Sequence, residues 1–302
     1  MSAELALRGC IPIVATPFFD DGSLDFASLE REIDWLIAEG ATGVACLAIA
    51  SEGYKLTEAE RDDIVRVTVA RAGGRVPVVA SADGPGEAPA LDRAQRAARL
   101  GADALMVLPP YFVKPNPESL LSYYTAVAAT ISIPIVLQDA PQLTGVAMSP
   151  ALWASMAERA PNFRYVKAEG TPQGHTISET VRLCGDRLGI FCGWGGLSLL
   201  DALERGAAGN MPASNFTRFF ARVQDRWENG DRASAEAQFA AGVPFVLWTM
   251  QSIDHSVAAA KVELLRRGVF TSAHLRQPFT ALDAIAEGQL GRFIDRKIAD
   301  DW

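Results

Sequence analysis

Residues Val76 to Pro110 read VPVVASADGPGEAPALDRAQRAARLGADALMVLPP. An apolar, β-branched run opens the stretch at Val76 and closes at Ser81. From Glu87 to Leu100 the apolar residues recur at the spacing of an amphipathic helix, and Gly101 stands where a helix end takes a left-handed glycine. A second apolar run begins at Ala104. Strand, helix and strand in about 35 residues make a βαβ unit, with a right-handed crossover and parallel strands.

The alternation extends in both directions. Upstream lie IPIVATPF from Ile11 and GVACLAI from Gly43, with amphipathic stretches at Asp25–Glu39 and Thr57–Arg71. Downstream come IPIVLQ from Ile133, FRYVKA from Phe163, GIFCGW from Gly189 and AAGNMPA from Ala207. Thr57 followed by Glu60 predicts a capping box, and Gly40 and Gly206 predict further C-caps. Eight such units predict an α/β fold, a (β/α)8 TIM barrel over residues 1–225. A doubly wound sheet is the competitor, but the GxGxxG fingerprint of its nucleotide-binding members is missing. After residue 225 the pattern is purely helical, at Ala233–Met250, Ser256–Arg267 and Pro278–Gly288. Residues 226–302 are therefore expected as C-terminal helices packed on the barrel.

With 302 residues, 49% hydrophobic and 21% charged, the chain has the composition of a globular protein with one substantial core. A net charge of −8 argues against nucleic acid or an anionic membrane as partner, since both need a dense basic patch. No window approaches the roughly 18 apolar residues of a membrane span. Cys10, Cys46, Cys184 and Cys192 show no CxxC spacing, and the opening MSAELALRGC has no signal-peptide pattern. Both features suit reduced thiols and a cytoplasmic setting. His175, His255 and His274 form no ligand pair, so no metal site is expected.

In a barrel of this kind the active site lies at the C-terminal ends of the strands. Of the five lysines, Lys55, Lys114, Lys261 and Lys297 fall on helices or loops and are expected to be solvated charges. Lys167 instead closes an apolar strand, where period-two alternation puts Phe163, Tyr165 and Lys167 on one face. Desolvation there favours the neutral amine, a nucleophile that forms a Schiff base with a carbonyl. The alternative is a structural lysine paired with Glu169 or Asp139.

Several ordered segments carry a resemblance. They are GCIPIVATPF from Gly9, DGSLDFASL from Asp21, SEGYKLTEAER from Ser51 and LPPYFVKP from Leu108. IPIVLQDAPQLTG from Ile133, YVKAEG from Tyr165 and GAAGNMPASN from Gly206 complete the set. Over essentially its whole length the chain resembles the dihydrodipicolinate synthase / N-acetylneuraminate lyase family of Schiff-base lyases. The resemblance places Lys167 on the imine-forming lysine, implies a small-molecule 2-keto acid as substrate, and requires no cofactor beyond the covalent imine. It also implies a homotetramer or dimer.

Departures from the family pattern narrow the expectation. Ala48-Ile49-Ala50-Ser51-Glu52 stands where the family has Gly-Thr-Thr-Gly-Glu. Gln138 replaces the acid/base tyrosine, Phe112 a second tyrosine often lent across the subunit interface, and Leu143 the synthase's carboxylate-binding arginine. An amide takes no proton at pH 7. What remains resembles the branch of 2-keto-3-deoxy-pentonate dehydratases, such as the enzyme converting 2-keto-3-deoxyarabonate to 2-oxoglutarate semialdehyde. Lys167, Gln138 and Glu169 are the catalytic candidates, with Glu169 as base if the alternation persists past the strand. Ala50, Ser51 and Glu52 are the candidates for holding the substrate carboxylate, through the Ser51 hydroxyl and loop amides, with Glu52 tying the loop. Gly193 and Met211 are expected at the same mouth. A pyruvate-dependent aldolase or synthase of the same family, and a non-catalytic keto-acid-binding barrel, stay open as alternatives.

Overall fold

The apolar runs become short strands whose backbones pair in parallel, as their β-branched and apolar content dictates. The computed structural model describes residues 6–300, so the reading of residues 1–5 lies outside the described residues. The strands are β1 (Gly9–Cys10), β2 (Val44–Cys46), β3 (Val78–Ser81), β4 (Ala104–Val107), β5 (Ile135–Asp139), β6 (Phe163–Ala168), β7 (Gly189–Cys192) and β8 (Gly209–Asn210). They form one sheet in the order β1-β8-β7-β6-β5-β4-β3-β2. A bridge between Ile13 and Ala45 joins its ends, with bonds from Thr42 N to Cys10 O and from Ala45 N to Pro12 O, both 2.9 Å. The sheet is thereby closed into a barrel.

Helices alternate with the strands: α1 (Phe26–Ala38), α2 (Glu58–Ala72), α3 (Glu87–Arg99), α4 (Pro117–Ala129), a short α5 (Pro141–Thr144) and α6 (Pro150–Arg159). They continue with α7 (Gln173–Cys184), α8 (Leu199–Glu204), α9 (Thr217–Glu228), α10 (Arg232–Thr249), α11 (Ile253–Arg266) and α12 (Ala284–Ala299). The capping box is present: the Glu60 N–H donates to Thr57 Oγ1, and the Thr57 N–H to Glu60 Oε2. Two hydrophobic layers result. Ile11, Ile13, Val79, Met106, Val136, Tyr165, Phe191 and Met211 fill the barrel, while a larger shell between strands and helices also takes in Phe245, Val246, Ala259, Leu290 and Ile294 of the tail. Each Val, Leu, Ile, Phe or Met side chain among them contributes about 1.5–3 kcal/mol when taken out of water. Among the described residues no helix is long and apolar enough to cross a membrane.

Three details depart from expectation. The ladder of the first strand lies at Gly9–Cys10, and past it only Ile13 bridges, to Ala45 and Ala213. Pro12 has no N–H to continue the ladder. Phe163 does not share the face of Tyr165 and Lys167. The register with β5 jumps from Ile135↔Phe163 to Val136↔Tyr165, so Arg164 is an extra residue and Phe163 turns outward against Tyr124. The last helix starts at Ala284, where Asp283 accepts from the Ala286 N–H, and continues through Gly288 to Ala299. Burial of Leu290 and Ile294, four apart on one face, outweighs the glycines' poor helix propensity.

Candidate active site

Parallel pairing of β5 with β6 sets Gln138 beside Lys167. Both point into the barrel mouth, because Val136 and Tyr165, two residues earlier, belong to its interior. The Glu169 N–H donates to Asp139 O at 2.9 Å, which extends the ladder one residue past β6 and keeps the alternation. Glu169 thus shares the face of Lys167. Its Oε1 lies 2.9 Å from Lys167 Nζ and accepts from Gln138 Nε2 at 3.0 Å. The three catalytic candidates form one buried cluster converging on a single oxygen. Gly193 is the floor under it: a Cβ there would come within 2.3 Å of Glu169 Cγ. Gln142 holds the Glu169 backbone carbonyl at 2.9 Å.

Asp139 turns to the opposite face, as the strand period requires. Burial, seconded by the charge of Glu169, pushes its pKa up to about 7.

The loop after β2 brings Ala48, Ile49 and Ala50 to the cleft around Lys167. Ser51 departs from expectation. Its hydroxyl donates to Val14 O at 2.6 Å, and its own carbonyl accepts from Thr16 Oγ1 at 2.6 Å, so the side chain braces the loop and does not line the cleft. The turn's internal bonds begin with the Ser51 N–H to Ala48 O. The amides of Ile49 and Ala50 precede them and are the donors a carboxylate would meet.

Glu52 adopts a left-handed backbone, φ 56°, and points away from the cleft. Its carboxylate meets Lys55 Nζ at 2.9 Å, Lys261 Nζ, and the Arg276 N–H at 3.1 Å. Lys261 is fully buried, over the Phe18 ring and bonded to His274 O at 2.8 Å; burial lowers its pKa to about 8 against the pull of Glu52. Lys297 is likewise buried, 2.9 Å from Glu263. The expectation of solvated lysines at 55, 261 and 297 is therefore corrected: these cations leave water because each finds a carboxylate inside.

Met211 and Gly195 lie at the mouth with Ile13, Trp194 and Phe216. The tail contributes more than packing. Val246, Thr249 and Met250 at the end of α10, with Ile253 and Ser256 at the start of α11, roof the cleft. Sequence reasoning missed all five, and Phe216 as a site residue, because apolar periodicity marks a helix face without saying what it covers. Tyr111 lies in a neighbouring cleft with Tyr54, Asp83, Leu143 and Thr144, and Phe112 is 84% exposed. Among the described residues no tyrosine lines the cleft that holds Lys167.

Residues 6–297 match the model of the dihydrodipicolinate synthetase family. The chain is 32% identical to an L-2-keto-3-deoxyarabonate dehydratase of Azospirillum brasilense, over 94% of this chain and 92% of the relative. It is also 32% identical to a 4-hydroxy-tetrahydrodipicolinate synthase of Chelativorans sp. (strain BNC1), over 92% of this chain and 94% of that one. Among solved structures it resembles YagE, a prophage protein of the dihydrodipicolinic acid synthase family from E. coli K12, crystallised with pyruvate. The TM-score is 0.89 at 26% identity, covering 97% of this chain and 99% of that one. With the fold, the sequence match and the barrel-mouth lysine in agreement, the chain belongs to the dihydrodipicolinate synthetase family of lyases.

Proposed function

We propose that this lyase forms a Schiff base through Lys167 and dehydrates a 2-keto-3-deoxy sugar acid, with 2-keto-3-deoxyarabonate to 2-oxoglutarate semialdehyde as the concrete case. One observation carries the reading. The carboxylate of Glu169 stands 2.9 Å from Lys167 Nζ, while the neighbour at the end of β5 is the amide of Gln138. An amide positions groups but takes no proton at neutral pH, so proton removal beside the imine falls to Glu169.

The neutral Lys167 amine adds to the C2 carbonyl, and loss of one water gives the iminium. The iminium draws electrons from C3, and Glu169 takes a C3 proton to leave an enamine. The enamine expels the C4 hydroxyl, which leaves with a proton as the second water. A proton shift from C5 to C3 gives the enol of the C5 aldehyde, and hydrolysis of the imine consumes one water and frees Lys167. The balance is substrate to semialdehyde plus one water. The substrate carboxylate is held by the Ile49 and Ala50 amides. The iminium is the electron sink, so no cofactor enters. In this reading the protein works as a cytoplasmic homo-oligomer, a tetramer or dimer.

The equal identity to a synthase keeps a carbon–carbon lyase or synthase as the second reading. Against it, Leu143 stands where the synthase's arginine is expected. The test is a panel of 2-keto-3-deoxy acids with both products followed. Semialdehyde without pyruvate supports dehydration; pyruvate with a shortened aldehyde overturns it. Pyruvate binding with no turnover of any member leaves a keto-acid-binding barrel.

A further inference from the structure

The roof of the cleft decides what the far end of a substrate meets. Lys167 is the one cation and Glu169 the one carboxylate among the described residues that line it. The nearby cations are committed elsewhere: Lys55 and Lys261 to Glu52, and Arg276 to Glu60. The rest of the lining is largely apolar, with Trp194, Val246, Met250 and Ile253 among it, and the hydroxyls of Thr249 and Ser256 interrupt it. Thr249 Oγ1 donates to Val246 O at 2.7 Å, which leaves it only acceptor capacity. Ser256 is buried, lines the cleft, and its hydroxyl has no partner among the described residues.

Ser256 is also held in place. Its helix, α11, is tied to the loop after β2 through Lys261 and Glu52. It is tied to α12 and to the segment after β8 through Glu263, which meets Lys297 at 2.9 Å and accepts from Asn215 Nδ2 at 3.1 Å. A fixed hydroxyl in an apolar wall is a selective reader, because a group that cannot pair with it leaves it unsatisfied.

We propose that the cleft takes 2-keto acids whose far end is uncharged and hydroxylated, and that Ser256 binds that terminal hydroxyl. The proposal rests on the Schiff-base reading of Lys167 and names its substrate class. A second carboxylate at that end would enter an apolar wall with no cation and share the cleft with Glu169, which is unfavourable.

The experiment is borohydride trapping on Lys167, read by peptide mass, with pyruvate and three non-reacting five-carbon probes: 2-oxopentanoate, 5-hydroxy-2-oxopentanoate and 2-oxoglutarate. In the wild type the hydroxylated probe is expected to half-label at about 5–10-fold lower concentration than 2-oxopentanoate, the worth of one neutral hydrogen bond. The dicarboxylate is expected to need at least about 10-fold more than 2-oxopentanoate, as an unpaired buried charge demands. Ser256→Ala should bring the ratio of hydroxylated to plain probe to about one, and Ser256→Thr should restore part of it. Pyruvate labelling with an unchanged ratio in Ser256→Ala, or with 2-oxoglutarate trapped as readily as the hydroxylated probe, overturns this proposal alone. Failure of pyruvate to label Lys167 overturns the imine reading, and this proposal with it.

Discussion

Gln138 Nε2 donates to Glu169 Oε1 at 3.0 Å, on the oxygen that also meets Lys167 Nζ at 2.9 Å. The amide therefore acts on Lys167 through the carboxylate, fixing its orientation without competing for its proton. Replacing Gln138 by tyrosine would remove that donor pair and put an acid hydroxyl in its place. Gln138→Tyr is expected to keep borohydride trapping of pyruvate while turnover falls about 100-fold, the weight of a positioned proton-transfer group. Unchanged turnover would reduce Gln138 to lining.

If Glu169 removes the C3 proton, Glu169→Gln keeps the shape and loses the base. Trapping with pyruvate should persist. Exchange of the pyruvate methyl hydrogens with deuterated water, followed by NMR, should slow by at least about 100-fold. Exchange at the wild-type rate would move the base elsewhere.

Gly193 is where the cluster is most sensitive to volume. A methyl group there lies 2.3 Å from Glu169 Cγ, so Gly193→Ala must push the carboxylate off its position. A displacement on the order of 1 Å can cost about 100-fold in rate. We expect turnover to drop by that order with Lys167 still trappable; full activity would show that the Glu169 geometry is not needed.

Asp139 makes stability depend on pH. Its pKa is 3.8 when unfolded and about 7 in the fold, so between these values the folded state binds more protons than the unfolded state. Stability from this group is accordingly lost as pH rises through that window. Asparagine keeps the shape of the side chain and removes the charge. The difference in urea midpoint, Asp139→Asn minus wild type, should grow from pH 4 to pH 7. A difference that is flat with pH contradicts the shift.

Lys261 holds the roof to the barrel through Glu52. Lys261→Met leaves that carboxylate buried with Lys55 and the Arg276 N–H as its remaining partners. Breaking a buried pair on one side typically costs about 3 kcal/mol, which equilibrium unfolding in urea should register. A loss under about 0.5 kcal/mol would class the pair with surface bridges.

Local chemistry made much of this legible in the sequence. The barrel follows from apolar runs, capping residues and C-cap glycines recurring in order, because those signals act over a few residues. The inward aim of Lys167 and Glu169 follows from the period of two, which needs only a strand. The same rule failed at Phe163, where the extra residue Arg164 reverses the face. A bulge is a mismatch between two chains' registers, so one strand's residues do not contain it. Ser51 reads as a free hydroxyl until Val14 O is beside it. Lys55, Lys261 and Lys297 read as solvated until Glu52 and Glu263 are folded against them, since a cation's place in water or protein depends on a partner that can lie 209 residues away. The roof over Lys167, with Ser256 in it, was decided by tertiary packing alone. Periodicity determines that a helix has an apolar face, and only the assembled barrel determines what that face closes over.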